Sequence, residues 1–184
     1  MASKVDEVLR AIERNAWRRY LPIIGRVKGK ILVEVIREIK PKRILEVGTL
    51  VGYSTIMMAK ELESDAEIIT LEIDEDQAEL AKENVRKAEV KPSIRVLVGD
   101  ALDSIPKLDG IFDMVFIDAD KSEYLDYLRL IEGNLHIGSV VIADNANIST
   151  PTMRKYLDYV RNSGKYRSQL IQVSWGKMEV SVKL

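Results

Sequence analysis

The chain predicts an α/β fold: a doubly wound, mostly parallel seven-stranded sheet with helices on both faces and an antiparallel C-terminal hairpin. Three observations carry this. Short β-branched runs recur at 43–47, 67–72, 94–98, 112–117 and 138–143. Helical patterns lie between and after them, at 53–63, 75–89, 101–107, 121–132 and 150–162. The C-terminal stretch YRSQLIQVSWGKMEVSVKL reads as two further strands around Trp175, Gly176 and Lys177.

The first five runs are apolar without strict alternation, which suits parallel strands buried on both faces. Their alternation with helices implies right-handed βαβ crossovers. MEVSVKL does alternate, as an antiparallel strand with one wetter face should. Upstream, 3–20 and 27–39 read as amphipathic helices that cover the sheet or a ligand site, with Trp17 and Tyr20 expected in the packing. No repeat, low-complexity tract or Gly/Ser linker interrupts the pattern. Residues 1–184 are therefore expected to form a single domain, a length that suits one core, with 1–40 covering the site.

Composition excludes several classes. The formal net charge is −1 with 31% charged residues, so no global field draws the chain to nucleic acid or anionic membrane. There are no cysteines, which removes disulfides, thiolate metal sites and a cysteine nucleophile. No run of about 18 apolar residues exists to span a bilayer, and the N-terminal stretch lacks the apolar segment of a signal peptide. A cytoplasmic location is expected.

In open α/β sheets ligands bind at the carboxyl ends of strands. After the first run comes Gly48-Thr49-Leu50-Val51-Gly52-Tyr53-Ser54. Glycine there lets backbone approach a ligand, and the following helix offers free N–H groups. Ser54 is expected to cap that helix or bond the ligand. Glu72 ends the second run, 24 residues after Gly48, the spacing of a carboxylate that accepts ribose hydroxyls. Asp100 follows the third run, either as a helix N-cap or as a carboxylate beside an adenine. The motif is neither GxGxxG nor a P-loop, which speaks against a nicotinamide dehydrogenase.

Asp118, Asp120, Asp144 and Asn145 end the fourth and fifth runs. Singly, such residues begin turns or cap helices. Jointly, the three carboxylates and the amide make an all-oxygen site suited to a hard cation, Mg²⁺ above all, with Asp118, Asp144 and Asn145 its expected ligands. Lys121 stands at its edge, where a nearby cation would favour a general base. His136, in EGNLHIGS, reads as a solvated or turn residue without a role.

These segments resemble the metal- and S-adenosylmethionine-dependent O-methyltransferases, the group of the catechol and caffeoyl-CoA enzymes. ILEVGTLVGYST is similar to their first cofactor motif, LEID to the ribose segment, VGDAL to the adenine segment. VFIDADKSEYLDYL and VIADN are similar to their metal segments, and IGRVKGKILVEVIREIKP to the lead-in of the catechol enzyme. The resemblance implies a class I methyltransferase fold with strand order 3-2-1-4-5-7-6. It implies that Ile24, Glu46, Gly48, Thr49 and Ser54 hold the methionine end of the cofactor, Glu72 the ribose, and Asp100 and Ala101 the adenine. Asp118, Asp144 and Asn145 would bind the metal, Asp118 also lying near the cofactor amino group, and Lys121 would be the catalytic base. Asp120 stands where the catechol enzyme has a tryptophan wall, Tyr20 where it has another tryptophan, and Gln169-Leu170-Ile171 offers no equivalent of its substrate-gripping glutamate.

The expected reaction is methyl transfer to a hydroxyl of a small molecule bearing adjacent oxygens, by a protein expected to be a homodimer. Two alternatives are a tRNA wobble-uridine O-methyltransferase and a non-catalytic cofactor-binding module. The tRNA reading draws on the basic cluster Arg14, Arg18, Arg19, Arg26, Lys28 and Lys30. The intact set Asp118, Lys121, Asp144 and Asn145 argues against the binding module.

Overall fold

The computed structural model describes residues 3–147, 150–173 and 176–184. Seven strands form one sheet: β1 (Arg43–Val47), β2 (Glu67–Glu72), β3 (Ser93–Val98), β4 (Phe112–Ile117), β5 (Leu135–Ala143), β6 (Tyr166–Val173) and β7 (Gly176–Lys183). Their order is β3-β2-β1-β4-β5-β7-β6. β1 to β5 pair in parallel, and β7 runs antiparallel between β5 and β6. The expected fold and order are therefore observed. Trp175, expected at the hairpin turn, lies outside the described residues.

The helices are α1 (Lys4–Arg19), α2 (Gly25–Ile39), α3 (Tyr53–Ala59), α4 (Glu75–Ala88), α5 (Ala101–Ser104), α6 (Tyr124–Ile131) and α7 (Pro151–Asn162). Alternate strand residues feed opposite layers. Leu45, Ile69, Val115 and Val141 pack with α5, α6 and α7. Ile44, Ile68, Met114 and Ile142 pack with α2 and α3. Both strand faces meet apolar helices, which is why the central strands show no polar alternation. On α1, Val5, Val8, Leu9, Ile12 and Ala16 make the apolar stripe, at the spacing of one helix face.

That stripe decides against the packing expected for Trp17 and Tyr20, which are 85% and 92% exposed. Trp17 lies about 100° around the helix from Ala16, and Tyr20 is the left-handed C-cap beyond the helix end (φ 54). Three boundaries also differ from expectation. α3 stops at Ala59 because Glu61 and Leu62 donate back three residues, to Met58 and Ala59, tightening the end into a turn. α6 starts at Tyr124, after a loop in which Asp120 caps Ser122. β5 starts at Leu135, so His136 lies in a strand rather than a loop. Ser139 Oγ accepts from His136 N–H and donates to the Phe112 carbonyl, bridging the register shift between β4 and β5. His136 Nε2 lies 3.0 Å from Asp113.

β1 is flanked by β2 on one side and β4 on the other, so the chain changes direction there. This switch opens a crevice at the carboxyl ends. Gly48 follows β1 with φ 100, and a Cβ there would sit 2.1 Å from the Asp118 carbonyl oxygen. Backbone conformation and close approach both demand glycine. Gly48→Ala is expected to destabilise the fold by more than about 1 kcal/mol from backbone strain alone, read as a lower urea midpoint with the slope unchanged.

Candidate active site

The crevice holds a cavity of about 550 Å³ between the strand ends and the α1–α2 connection. Its size suits a nucleoside-sized ligand. Pro22, Ile23 and Ile24 form one wall, and the loops after β1 to β5 form the floor and the other walls. Ile24, Gly48, Thr49, Ser54, Glu72, Asp100, Ala101, Asp118, Lys121 and Asn145 all line it. Residues scattered over 120 positions of sequence are thus gathered by the parallel strand ends.

At one end, Glu72 is fixed from two sides. Leu50 N–H donates to Oε2 at 2.6 Å and Asp74 N–H to Oε1 at 3.0 Å. Each oxygen keeps further acceptor capacity for a hydroxyl. Leu50 reaches this position in the left-handed region, φ 49. Asp100 caps α5 through Leu102 N–H at 2.8 Å while also lining the cavity, so its two expected readings are compatible. Ser54 does not cap α3, whose N-cap is Gly52. Its hydroxyl instead donates to Glu46 at 2.5 Å, and Thr55 donates to the other carboxylate oxygen. Glu46 is fully buried and is not among the residues lining the cavity. Burial pushes its carboxyl up to about 7 against the opposing pull of the Ser54 and Thr55 hydrogen bonds.

At the other end, burial and the neighbouring Asp144 push the Asp118 carboxyl up to about 7, while Lys28 and Lys121 act the other way. Asp144 is buried, and Asn145 next to it adopts φ 51, a conformation asparagine tolerates better than most residues. Asp120 lines the cavity, but its Oδ1 accepts from both the backbone and the hydroxyl of Ser122. That carboxylate oxygen serves the loop. Lys121, beside it, is exposed at the cavity edge.

The O-methyltransferase family model matches residues 1–155. The chain belongs to the O-methyltransferase family. Among curated O-methyltransferases, it is 39% identical over 158 residues to "Catechol O-methyltransferase B" of Danio rerio, covering 82% of this chain and 59% of that one. It is 39% identical over 146 residues to the catechol O-methyltransferase of Niastella koreensis, covering 76% of this chain and 66% of that one. The chain thus spans less than two thirds of either relative's length. The solved O-methyltransferase from Bacillus cereus in complex with SAH superposes with a TM-score of 0.87 at 27% identity, covering all of this chain and 92% of that one.

Two features of this family member escape the sequence patterns. Lys28 Nζ donates to Asp144 Oδ2 at 2.7 Å and to Asn145 Oδ1 at 2.9 Å, so it is not part of a surface basic patch. Its position one turn after Ile24, which lines the cavity, is the available signal. Glu13 ties three helices together, accepting from Arg26 at 2.7 and 2.6 Å and from Tyr53 at 2.6 Å. That clamp ties α1 and the start of α2 to α3, on either side of the Pro22–Ile24 wall, and no motif announces it.

The raised Glu46 carboxyl has a sign that can be tested. A folded-state value of about 7 against 4.5 means the folded protein holds the proton more tightly. Glu46's contribution is full below pH 4.5 and is lost as pH rises through about 7, a difference on the order of 3 kcal/mol. Glu46→Gln is expected to flatten the fall in unfolding free energy over that window, measured by urea titrations at a series of pH values.

Proposed function

We propose that this chain is an S-adenosylmethionine-dependent O-methyltransferase acting, with a divalent cation such as Mg²⁺, on a hydroxyl of a small molecule with adjacent oxygens. The observation that carries the reading is one cavity lined at one end by the Gly48 turn and Glu72 and at the other by Asp118, Asn145 and Lys121. The catechol O-methyltransferase names of the relatives support the acceptor class.

The residues present fit a cation. Asp144 Oδ1 is buried with no hydrogen-bond partner among the described residues, and a hard ion takes oxygen donors such as Asp118, Asp144 and Asn145. Two of these are carboxylates and one is an amide, and no cluster of three His, Cys, Asp or Glu ligands occurs among the described residues. When bound, the cofactor supplies a methyl group on a sulfonium and the cation a Lewis acid that orients two substrate oxygens.

The chain's own residues then have distinct tasks. Glu72 accepts the ribose hydroxyls, and its two backbone donors keep it in register. The Gly48–Thr49 backbone and Ile24 border the amino-acid end, with Glu46 supporting Ser54 from beneath. Asp100 and Ala101 flank the base. Lys121 would take the proton from the acceptor hydroxyl of a substrate held beside the cofactor's methyl group. Positioned proton transfer of this kind contributes about 10²–10⁴-fold.

A second reading, methylation of a hydroxylated wobble uridine in tRNA, is supported by exposed Trp17 and Tyr20 beside exposed Arg14, Arg18 and Arg19. Arg26, bonded to Glu13, and Lys28, turned inward, leave that cluster smaller than the sequence suggested. We also propose that residues 1–184 form one domain and that the protein is a cytoplasmic homodimer; no helix among the described residues is long and apolar enough to cross a membrane. Sedimentation analysis tests the dimer.

The deciding assay offers catechols, vicinal diols, CoA esters and tRNA carrying the unmethylated hydroxyuridine with labelled cofactor, with and without EDTA. Transfer to a catechol or diol that EDTA abolishes is expected. Asp144→Ala is expected to lower that transfer by about 10²-fold or more through lost positioning, with SAH binding little changed by calorimetry. Equal transfer with and without EDTA would sink the metal assignment.

A further inference from the structure

The oxygen donors at the ends of β4 and β5 already face a cation that belongs to the chain. Lys28 extends from the first turn of α2, its ammonium within hydrogen-bond distance of Asp144 Oδ2 and Asn145 Oδ1. The lysine side chain is 13% exposed and that of Asp144 2%. This is a built contact, unlike the exposed pairs Lys4–Glu89 or Lys42–Asp65 elsewhere on the surface.

The contact uses oxygens of two of the residues that would hold a metal, Asp144 Oδ2 and Asn145 Oδ1, and leaves Asp144 Oδ1 without a partner among the described residues. An ammonium is a hard, compact cation with three donors and no acceptor, so it satisfies carboxylate and amide oxygens much as a hydrated ion does. Two of the three donors assigned to the cation are therefore engaged by Lys28. A divalent ion bonding both oxygens would stand a few ångströms from the ammonium in a partly buried setting, where like charges repel far more than in water. Both cannot hold this oxygen pair together.

We propose that Lys28 is a tethered competitor for the divalent cation: its ammonium holds the Asp144–Asn145 pair in the metal-free protein and must withdraw before the ion can bind. The inference rests on the proposed O-methyltransferase reading for the existence of a cation seat. Lys28 keeps the buried Asp144 charge compensated and the donor pair aligned while no ion is bound, and it lowers the affinity for that ion.

The surroundings are shaped for the lysine. A Cβ at Gly176, the first residue of β7, would lie 2.8 Å from Lys28 Cε, 3.2 Å from its Nζ and 3.5 Å from Asn145 Oδ1. The missing side chain leaves the room in which the end of Lys28 lies. A purely structural ion pair would account for the same hydrogen bonds. It makes the opposite prediction for metal binding, because removing a lysine that only positions Asp144 would disorder the donors and weaken the ion.

The test is a Mn²⁺ titration of the full chain, with free Mn²⁺ read by its paramagnetic resonance signal. Wild type, Lys28→Met, Lys28→Gln and Lys28→Met/Asp144→Asn are compared. The expected result is Mn²⁺ binding about tenfold or more tighter in both single variants, with the gain lost in the double variant. Lys28→Met is also expected to melt lower than wild type without metal and to gain more in melting temperature when Mn²⁺ is added. Lys28→Gln keeps a polar side chain without charge, so the comparison holds if Lys28→Met folds poorly. Unchanged or weaker Mn²⁺ affinity in folded Lys28→Gln overturns the proposal, as does absence of Mn²⁺ binding in every form. SAH affinity, measured on the same samples, separates the two readings. SAH binding with unchanged Mn²⁺ affinity overturns the competition alone, whereas loss of SAH binding in wild type counts against the methyltransferase reading while the Mn²⁺ comparison still decides the role of Lys28.

Discussion

Desolvation of carboxylates at the carboxyl ends of adjacent parallel strands is the constraint on which the rest of this structure depends. Glu46, Asp118 and Asp144 stand in or just beyond β1, β4 and β5, where the sheet is covered on both faces. A charge removed from water there needs partners or takes up a proton. Each group meets this differently. Glu46 has two hydroxyl donors from α3, Asp144 has the Lys28 ammonium, and at Asp118 burial and the neighbouring Asp144 outweigh two lysines and favour the protonated carboxyl. Of the elements that must be close for this to work, α3 and the loop after β4 also line the cavity, and α2 follows directly on its Ile24 wall.

Backbone geometry supplies the second layer. Gly48 lets the end of β1 pass against the Asp118 carbonyl. Leu50 and Asn145 both sit in the left-handed region, where non-glycine residues carry strain that clusters at functional sites. Leu50 thereby aims its N–H at Glu72, and Asn145 presents its amide oxygen to Lys28. The same turns that end the strands therefore hold the polar groups at the two ends of one cavity.

The two ends of the cavity differ in polarity. Around Gly48, Glu72 and Ala101 the walls are backbone and small or apolar side chains with two carboxylates, Glu72 and Asp100, each held by backbone N–H groups. Around Asp118, Asn145 and Lys121 they are charged. The α1–α2 connection forms one wall, with the Glu13 bonds to Arg26 and Tyr53 tying the helices on either side of it to α3. Lys28, on α2, lies one turn beyond the Ile24 wall of the cavity.

Local pattern by itself determined the alternation of strands and helices, the sheet ending in a hairpin, and the residues at each strand end that line the cavity. Those features follow from periodicity, glycine placement and the rule that parallel strands deliver their ends to one edge, all of which act over a few residues. The family resemblance added the strand order and the expected roles. Tertiary structure alone decided what each polar group touches. Lys28 looked like one of six basic surface residues until α2 packed across β5 and turned it onto Asp144, 116 positions away. By pattern Ser54 could cap α3 or bond the ligand, and its hydroxyl donates to Glu46 instead of capping; Asp120 looked like a possible ligand until Ser122 engaged it. Trp17 looked like core until the phase of α1 put Ile12 and Ala16 inside instead. In each case the partner is distant in sequence or depends on helix rotation, and hydrogen bonds and ion pairs are set by separations of a few ångströms that no local pattern encodes.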